Sequence, residues 1–68
     1  MLTKSLHTIT AVTNVARYLI VQNKAPRNAD GLAHSALSIL GYADVDTHSK
    51  TDETVIRCVA ACAKLLKE

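Results

Sequence analysis

Apolar residues recur at three- and four-residue spacing between Ala29 and Leu40, and this row constrains the fold more than any other feature. Spacing of i, i+3, i+4 and i+7 places side chains on one face of an α-helix, whereas a half-buried strand needs strict alternation. The pattern therefore predicts a helix over residues 29–40. Its expected buried face consists of Ala29, Leu32, Ala33, Ala36, Leu37 and Leu40.

Both ends of this helix carry residues that suit helix termini. Asn28 or Asp30 can cap the start, because their side-chain oxygens accept hydrogen bonds from free backbone N–H groups of the first turn. Gly41 stands where a left-handed residue closes many helices. Tyr42 can then fold back onto Leu37, which is the hydrophobic contact that accompanies such an ending.

Similar spacing predicts a helix on each side of this one. The first covers residues 3–23 and should end before Pro26, because proline disfavours helical geometry at the residue preceding it. The third covers residues 50–67, with Ser49 or Thr51 as its cap. The expected core faces are Leu6, Ile9, Val12, Ala16, Leu19 and Ile20 in the first helix, with Thr8, Asn14 and Arg17 outside, and Val55, Ile56, Val59, Cys62, Ala63 and Leu66 in the third.

The side chains available for a core are small. The chain has 68 residues, 49% of them apolar, with no Phe and no Trp. Small apolar side chains suit closely packed helices, so residues 1–68 are predicted to form a single all-α domain, a three-helix bundle with a long first helix. A chain of this size buries only about 60% of its unfolded surface. We therefore expect an overhanging first helix and a homodimer that completes the core.

The distribution of charge limits which classes of function we expect. The net charge is only +2, yet residues 1–29 contain no acidic residue, while the charged residues in 30–53 are all acidic except Lys50. A strong nucleic-acid binder usually has a denser basic stripe, so that class is a secondary expectation. Apolar runs such as Tyr18 to Val21 are far too short to span a membrane. Without a visible signal peptide, we expect a soluble cytoplasmic protein with reduced thiols.

Cys58 and Cys62 lie one helical turn apart and raise the question of a metal or redox site. Zinc sites use such cysteine pairs together with histidines. His7, His34 and His48, however, are scattered over three segments without paired spacing. Free cysteine packs like a small hydrophobe, so we interpret Cys62 as a core residue and Cys58 as its flank. No metal and no cofactor are expected.

Catalysis is not expected either. A nucleophile needs a base and an orienting group brought together in a cleft. His34, Ser35 and Ser38 share one helix in a chain too small to enclose a pocket, and two glycines do not make a phosphate-binding loop. The chain is therefore predicted not to be an enzyme.

Protein binding is the class of function that the sequence favours. Tyr18 and Val21 fall on a flank of the first helix beside Arg17, and Tyr and Arg are enriched at binding hot spots. The predicted partner-binding residues are Arg17, Tyr18, Val21, Lys24, Arg27 and Tyr42. We expect a regulator, adaptor or antagonist of a larger protein, a class common among phage and plasmid accessory proteins. The alternative is a nucleic-acid-binding transcriptional regulator.

Overall fold

The computed structural model describes residues 6–68, which form three α-helices and no strand. The helices are α1 (Leu6–Val21), α2 (Ala29–Ile39) and α3 (Glu53–Leu66). Each helix packs against both of the others. The predicted all-α three-helix bundle is therefore confirmed. No helix in the described chain has the length and hydropathy that a membrane span requires.

The helix boundaries differ modestly from those predicted. The first helix ends at Val21 instead of residue 23, and its predicted start at residues 3–5 lies outside the described chain. The third begins at Glu53 instead of residue 50. α1 has 16 described residues and α2 has 11, so the first helix is the longer of the two, and its packing on a second protomer stays a prediction.

Helices α1 and α2 run antiparallel. Thr8 and Ala11, in the first half of α1, border the same surface depression as Leu40 and Tyr42, at the C-terminal end of α2. The connection after α2 then returns toward the start of that helix. His48 of this connection lies 3.3 Å from Asp30 in the first turn of α2, measured from Nδ1 to Oδ2.

Eleven buried apolar residues form the core, and all of them come from one chain. The radius of gyration is 10.5 Å, close to the value of about 11 Å expected for a globular domain of this length. The described chain thus closes a core without a second copy, and the homodimer stays a prediction. The buried residues are Val12, Ala16, Leu19, Leu32, Ala33, Ala36, Leu37, Val55, Cys58, Cys62 and Leu65.

The inward face of α2 is confirmed, whereas those of α1 and α3 were only partly predicted. Thr8, expected outside, is buried with 6% exposure. Cys58, expected on the flank, is fully buried, while Ile56, expected in the core, is 43% exposed. The error in α3 arises because rows through residues 55, 58, 62 and 65 and through 56, 59, 63 and 66 are both apolar. Packing against α1 and α2 selects the first row, and periodicity alone does not.

Helices α1 and α2 have the same type of C-terminal ending. At the end of α2, Gly41 has φ 96°, the left-handed conformation predicted for it, and the N–H of Tyr42 donates to the carbonyl of Leu37 at 2.8 Å. At the end of α1, Asn23 takes the left-handed position with φ 59°, and the N–H of Lys24 donates to the carbonyl of Leu19 at 2.9 Å. Asparagine is the non-glycine residue that tolerates this conformation best, which explains why α1 stops before Pro26 is reached.

The N-termini of α2 and α3 are capped by side-chain oxygens. Asn28 Oδ1 accepts from the N–H of Gly31, confirming one of the two predicted caps. The predicted cap of α3 at Ser49 or Thr51 is wrong, because Asp52 Oδ1 accepts from the N–H of Thr54 at 3.1 Å. The hydroxyl of Ser49 is instead used in the preceding turn, where it accepts from the backbone N–H groups of Thr51 and Asp52.

Substitutions in the left-handed turn after α1 test this part of the fold. Replacing exposed Asn23 by Val forces a β-branched residue into the left-handed region and should lower the free energy of unfolding by about 1–2 kcal/mol. Asn23→Gly should change it by less than about 1 kcal/mol, because glycine adopts this conformation readily. Urea unfolding followed by circular dichroism measures both. Gln22→Val is the matched control, and an equal loss in that variant would contradict the assignment.

Candidate interaction surface

The outer face of α1 carries exposed side chains at helical spacing along its whole length. The spacing follows from the fold, because the opposite face, centred on Val12 and Ala16, is fully buried against the other helices. The face changes character along the helix, from polar in its first turns to aromatic, apolar and cationic in its last turns. Its exposed members are His7, Thr10, Asn14, Arg17, Tyr18 and Val21.

Two apolar side chains stand out at the C-terminal end of this face. Tyr18 is 61% exposed and Val21 is 74% exposed. Residues three or four apart on a helix are surface neighbours, so Val21 lies beside both Tyr18 and Arg17, and the three side chains form one patch. We call Arg17, Tyr18 and Val21 the α1 patch. Exposed apolar residues scattered singly are ordinary, whereas a tyrosine and an arginine in one patch are residue types enriched at binding hot spots, and Val21 adds apolar area between them.

Cations extend the patch beyond the end of the helix. Lys24 and Arg27 are exposed in the connection between α1 and α2, where the left-handed turn at Asn23 brings the chain back across the helix end. Within residues 6–68, neither these two side chains nor Arg17 makes an ion pair or a side-chain hydrogen bond. By contrast, Arg57 pairs with Glu53 at 3.0 Å, as their i, i+4 spacing suggests.

Tyr42 does not join this surface. It is half-buried against the core and borders a depression shared with His7 and Thr8, beside the first half of α1. The α1 patch lies in the last turns of that helix. The position of Tyr42 is explained by the helix ending that its backbone N–H completes. The other five predicted binding residues are exposed and belong to one continuous stretch of chain, from residue 17 to residue 27.

The two cysteines face the core. Cys58 and Cys62 are both fully buried. Burial raises the pKa of the Cys58 thiol, with a smaller contribution from the negative charge of Asp52, and burial followed by Cys58 raises the pKa of Cys62 to about 11. Both groups are therefore thiols near neutral pH, the form that neither attacks electrophiles nor binds metal well. In the part of the chain that the structure describes, no three His, Cys, Asp or Glu side chains lie close enough to hold a metal ion.

One contact between distant residues was missed from the sequence. The imidazole of His48 and the carboxylate of Asp30 are 3.3 Å apart, with side chains 75% and 44% exposed. A histidine oriented by a carboxylate is part of many nucleophilic sites. No hydroxyl or thiol in residues 6–68 is hydrogen-bonded to this imidazole. The pair is instead a solvent-exposed contact between the connection and the first turn of α2. No spacing rule could reveal it, because the two residues lie in different segments.

Comparison with known proteins adds no further constraint: no protein-family model matches the chain, and neither a curated protein nor a solved structure is similar to it.

The buried thiols give a prediction for reactivity. In the native protein at pH 8, Ellman's reagent should label Cys58 and Cys62 at least about 100-fold more slowly than in urea-unfolded protein, because labelling requires an opening of the helix packing. Absorbance of the released thiolate measures both rates. Native labelling as fast as that of the unfolded chain would show that the thiols are accessible.

The same thiols give a prediction for stability at alkaline pH. Because their folded-state pKa values lie above the ordinary value, the folded chain holds these protons to higher pH than the unfolded chain does. The free energy of unfolding should therefore fall as the pH rises from about 8.5 toward about 11, by an amount approaching 1 kcal/mol per pH unit (an order-of-magnitude value). Urea titrations at successive pH values measure the fall. It should be shallower in a Cys58→Ala/Cys62→Ala variant, and an identical slope would contradict the assignment.

Proposed function

We propose that this chain is a small non-enzymatic binding protein that acts as a regulator, adaptor or antagonist by docking the α1 patch onto a larger protein. The observation that carries the proposal is the pair of exposed apolar side chains, Tyr18 and Val21, beside Arg17 on a helix whose other face is committed to the core. Full burial of such side chains stabilises a complex by about 1.5–3 kcal/mol each. A rigid aromatic residue on a helix also loses little conformational freedom on binding.

A partner of a different kind is favoured over a second copy at this surface. A two-fold dimer through the α1 patch would bring Arg17, Lys24 and Arg27 of one protomer close to the same residues of the other. Like charges facing each other across an interface cost free energy. The surface therefore suits a partner protein better than itself.

Self-association and location are separate parts of the proposal. We retain a homodimer, formed through another face, because the exposed side chains of Ile39 and Ile56 on α2 and α3 offer apolar area outside the α1 patch. Sedimentation at micromolar concentration tests it. A cytoplasmic location is supported by two free thiols, which suit a reducing compartment.

The binding proposal is tested by comparing single variants in affinity capture from native lysate followed by mass spectrometry. Tyr18→Ala should release the captured partner and raise its Kd at least about tenfold, with the circular dichroism spectrum unchanged. His34→Ala is the matched control, because His34 also carries an exposed ring, on another helix and outside both proposed interfaces. A partner held equally by both variants, or lost equally from both, would contradict docking through the α1 patch.

The nucleic-acid alternative gives a different result in the same variants. Duplex DNA would then bind with an affinity that falls steeply with salt concentration. Changing Arg17, Lys24 and Arg27 to Ala would abolish it, while Tyr18→Ala would have little effect. That outcome would replace protein docking by a nucleic-acid-binding regulator.

A further inference from the structure

We infer that the partner protein presents a carboxylate-rich surface around an apolar pocket, with the pocket receiving Tyr18 and Val21 and the carboxylates meeting Arg17, Lys24 and Arg27. This inference rests on the proposed function, and it adds the chemistry of the partner.

Arg17 of the α1 patch and the neighbouring Lys24 and Arg27 are not paired with acidic groups of the described chain. The three cations are exposed and make no ion pair within residues 6–68, and the sequence contains no acidic residue before Asp30. Elsewhere in the described chain, four of the six acidic side chains have a partner of their own, and one of the four is Asp30, which lies 3.3 Å from His48. Asp52 caps α3, Asp46 accepts from the N–H of His48, and Glu53 pairs with Arg57. Arg17, Lys24 and Arg27 are therefore available to pair with carboxylates of an external partner.

The arrangement combines an apolar centre with cations around it. Tyr18 and Val21 project from adjacent turns of α1, Arg17 precedes them directly, and Lys24 and Arg27 follow beyond the helix end. Arginine presents a planar fork of donors that pairs bidentately with a carboxylate. A desolvated apolar centre within a polar, charged rim is the usual anatomy of a protein–protein interface.

Other anionic partners use only half of these features. Nucleic-acid backbone would engage the cations but would leave the large exposed apolar area of Tyr18 and Val21 without a complementary surface. An anionic membrane surface is usually bound by a longer apolar face than two side chains at one helix end. A carboxylate-rich protein surface with an apolar pocket satisfies both the charge and the apolar area.

The test is a titration of the ¹⁵N-labelled chain, followed by NMR, with a synthetic peptide that alternates glutamate and leucine. A peptide with glutamine in place of glutamate is the matched probe. Backbone signals between residues 17 and 27 should shift, and the glutamate peptide should bind at least about tenfold more tightly at about 50 mM salt, with the difference shrinking at about 500 mM salt. The charge-reversed variant Arg17→Glu/Lys24→Glu/Arg27→Glu should lose this preference. Lys64→Glu/Lys67→Glu, which reverses two exposed cations at the C-terminal end of α3, should keep it.

The possible outcomes show whether the inference about the partner's chemistry fails alone or together with the proposed function. Equal binding of the two peptides, or signals that shift away from residues 17–27, would overturn the inference. It would also be overturned if duplex DNA or phosphatidylserine vesicles moved the same signals at least as strongly as the glutamate peptide. A captured partner that is lost on Tyr18→Ala but retained by the charge-reversed variant would leave the proposed function standing and the inference wrong. Insensitivity of the captured partner to both changes would contradict the two together.

Discussion

The structure depends on the close approach of helices whose inward side chains are small. Ala16 of α1, Ala33 and Ala36 of α2 and the two cysteines of α3 are all fully buried. With no Phe or Trp to fill space, the helices gain packing energy only by coming close, since dispersion contacts are lost when a gap opens between neighbouring side chains. Cys58 and Cys62 are fully buried in this contact, and we expect a larger residue at either position to overpack it.

The sequence predicted the elements of this fold better than their orientation. The inward face of α2 was predicted correctly because only one of its faces is apolar. Helix α3 has two overlapping apolar rows, so the choice between Ile56 and Cys58 as a core residue is decided by the neighbouring helices. The cap at Asp52 was missed because several polar residues near it could serve equally well, and the hydroxyl of Ser49 was already used in the turn.

For the candidate site too, some features follow from local sequence pattern and others depend on tertiary packing. The exposure of Arg17, Tyr18 and Val21 follows from helical periodicity once Val12, Ala16 and Leu19 are placed in the core, so local pattern was sufficient. Tyr42 could not be resolved in this way. Its side chain belongs to a helix ending whose contacts join α2 to the first half of α1. The pairing of Asp30 with His48 likewise depends on the path of a connection, which no residue pattern specifies.

The helix ending at Asn23 has a consequence for the kinetics of recognition. The hydrogen bonds from Asn23 and Lys24 back to α1 fix the chain at one end of the connection, and the Asn28 cap fixes it at the other. Tyr18, Val21, Lys24 and Arg27 are thus mounted on a backbone that is ordered before any partner arrives. Association then includes no folding step and little loss of backbone entropy. The association rate should therefore be set by diffusion, orientation and electrostatic steering. We expect binding to be fast even though the contact area is small.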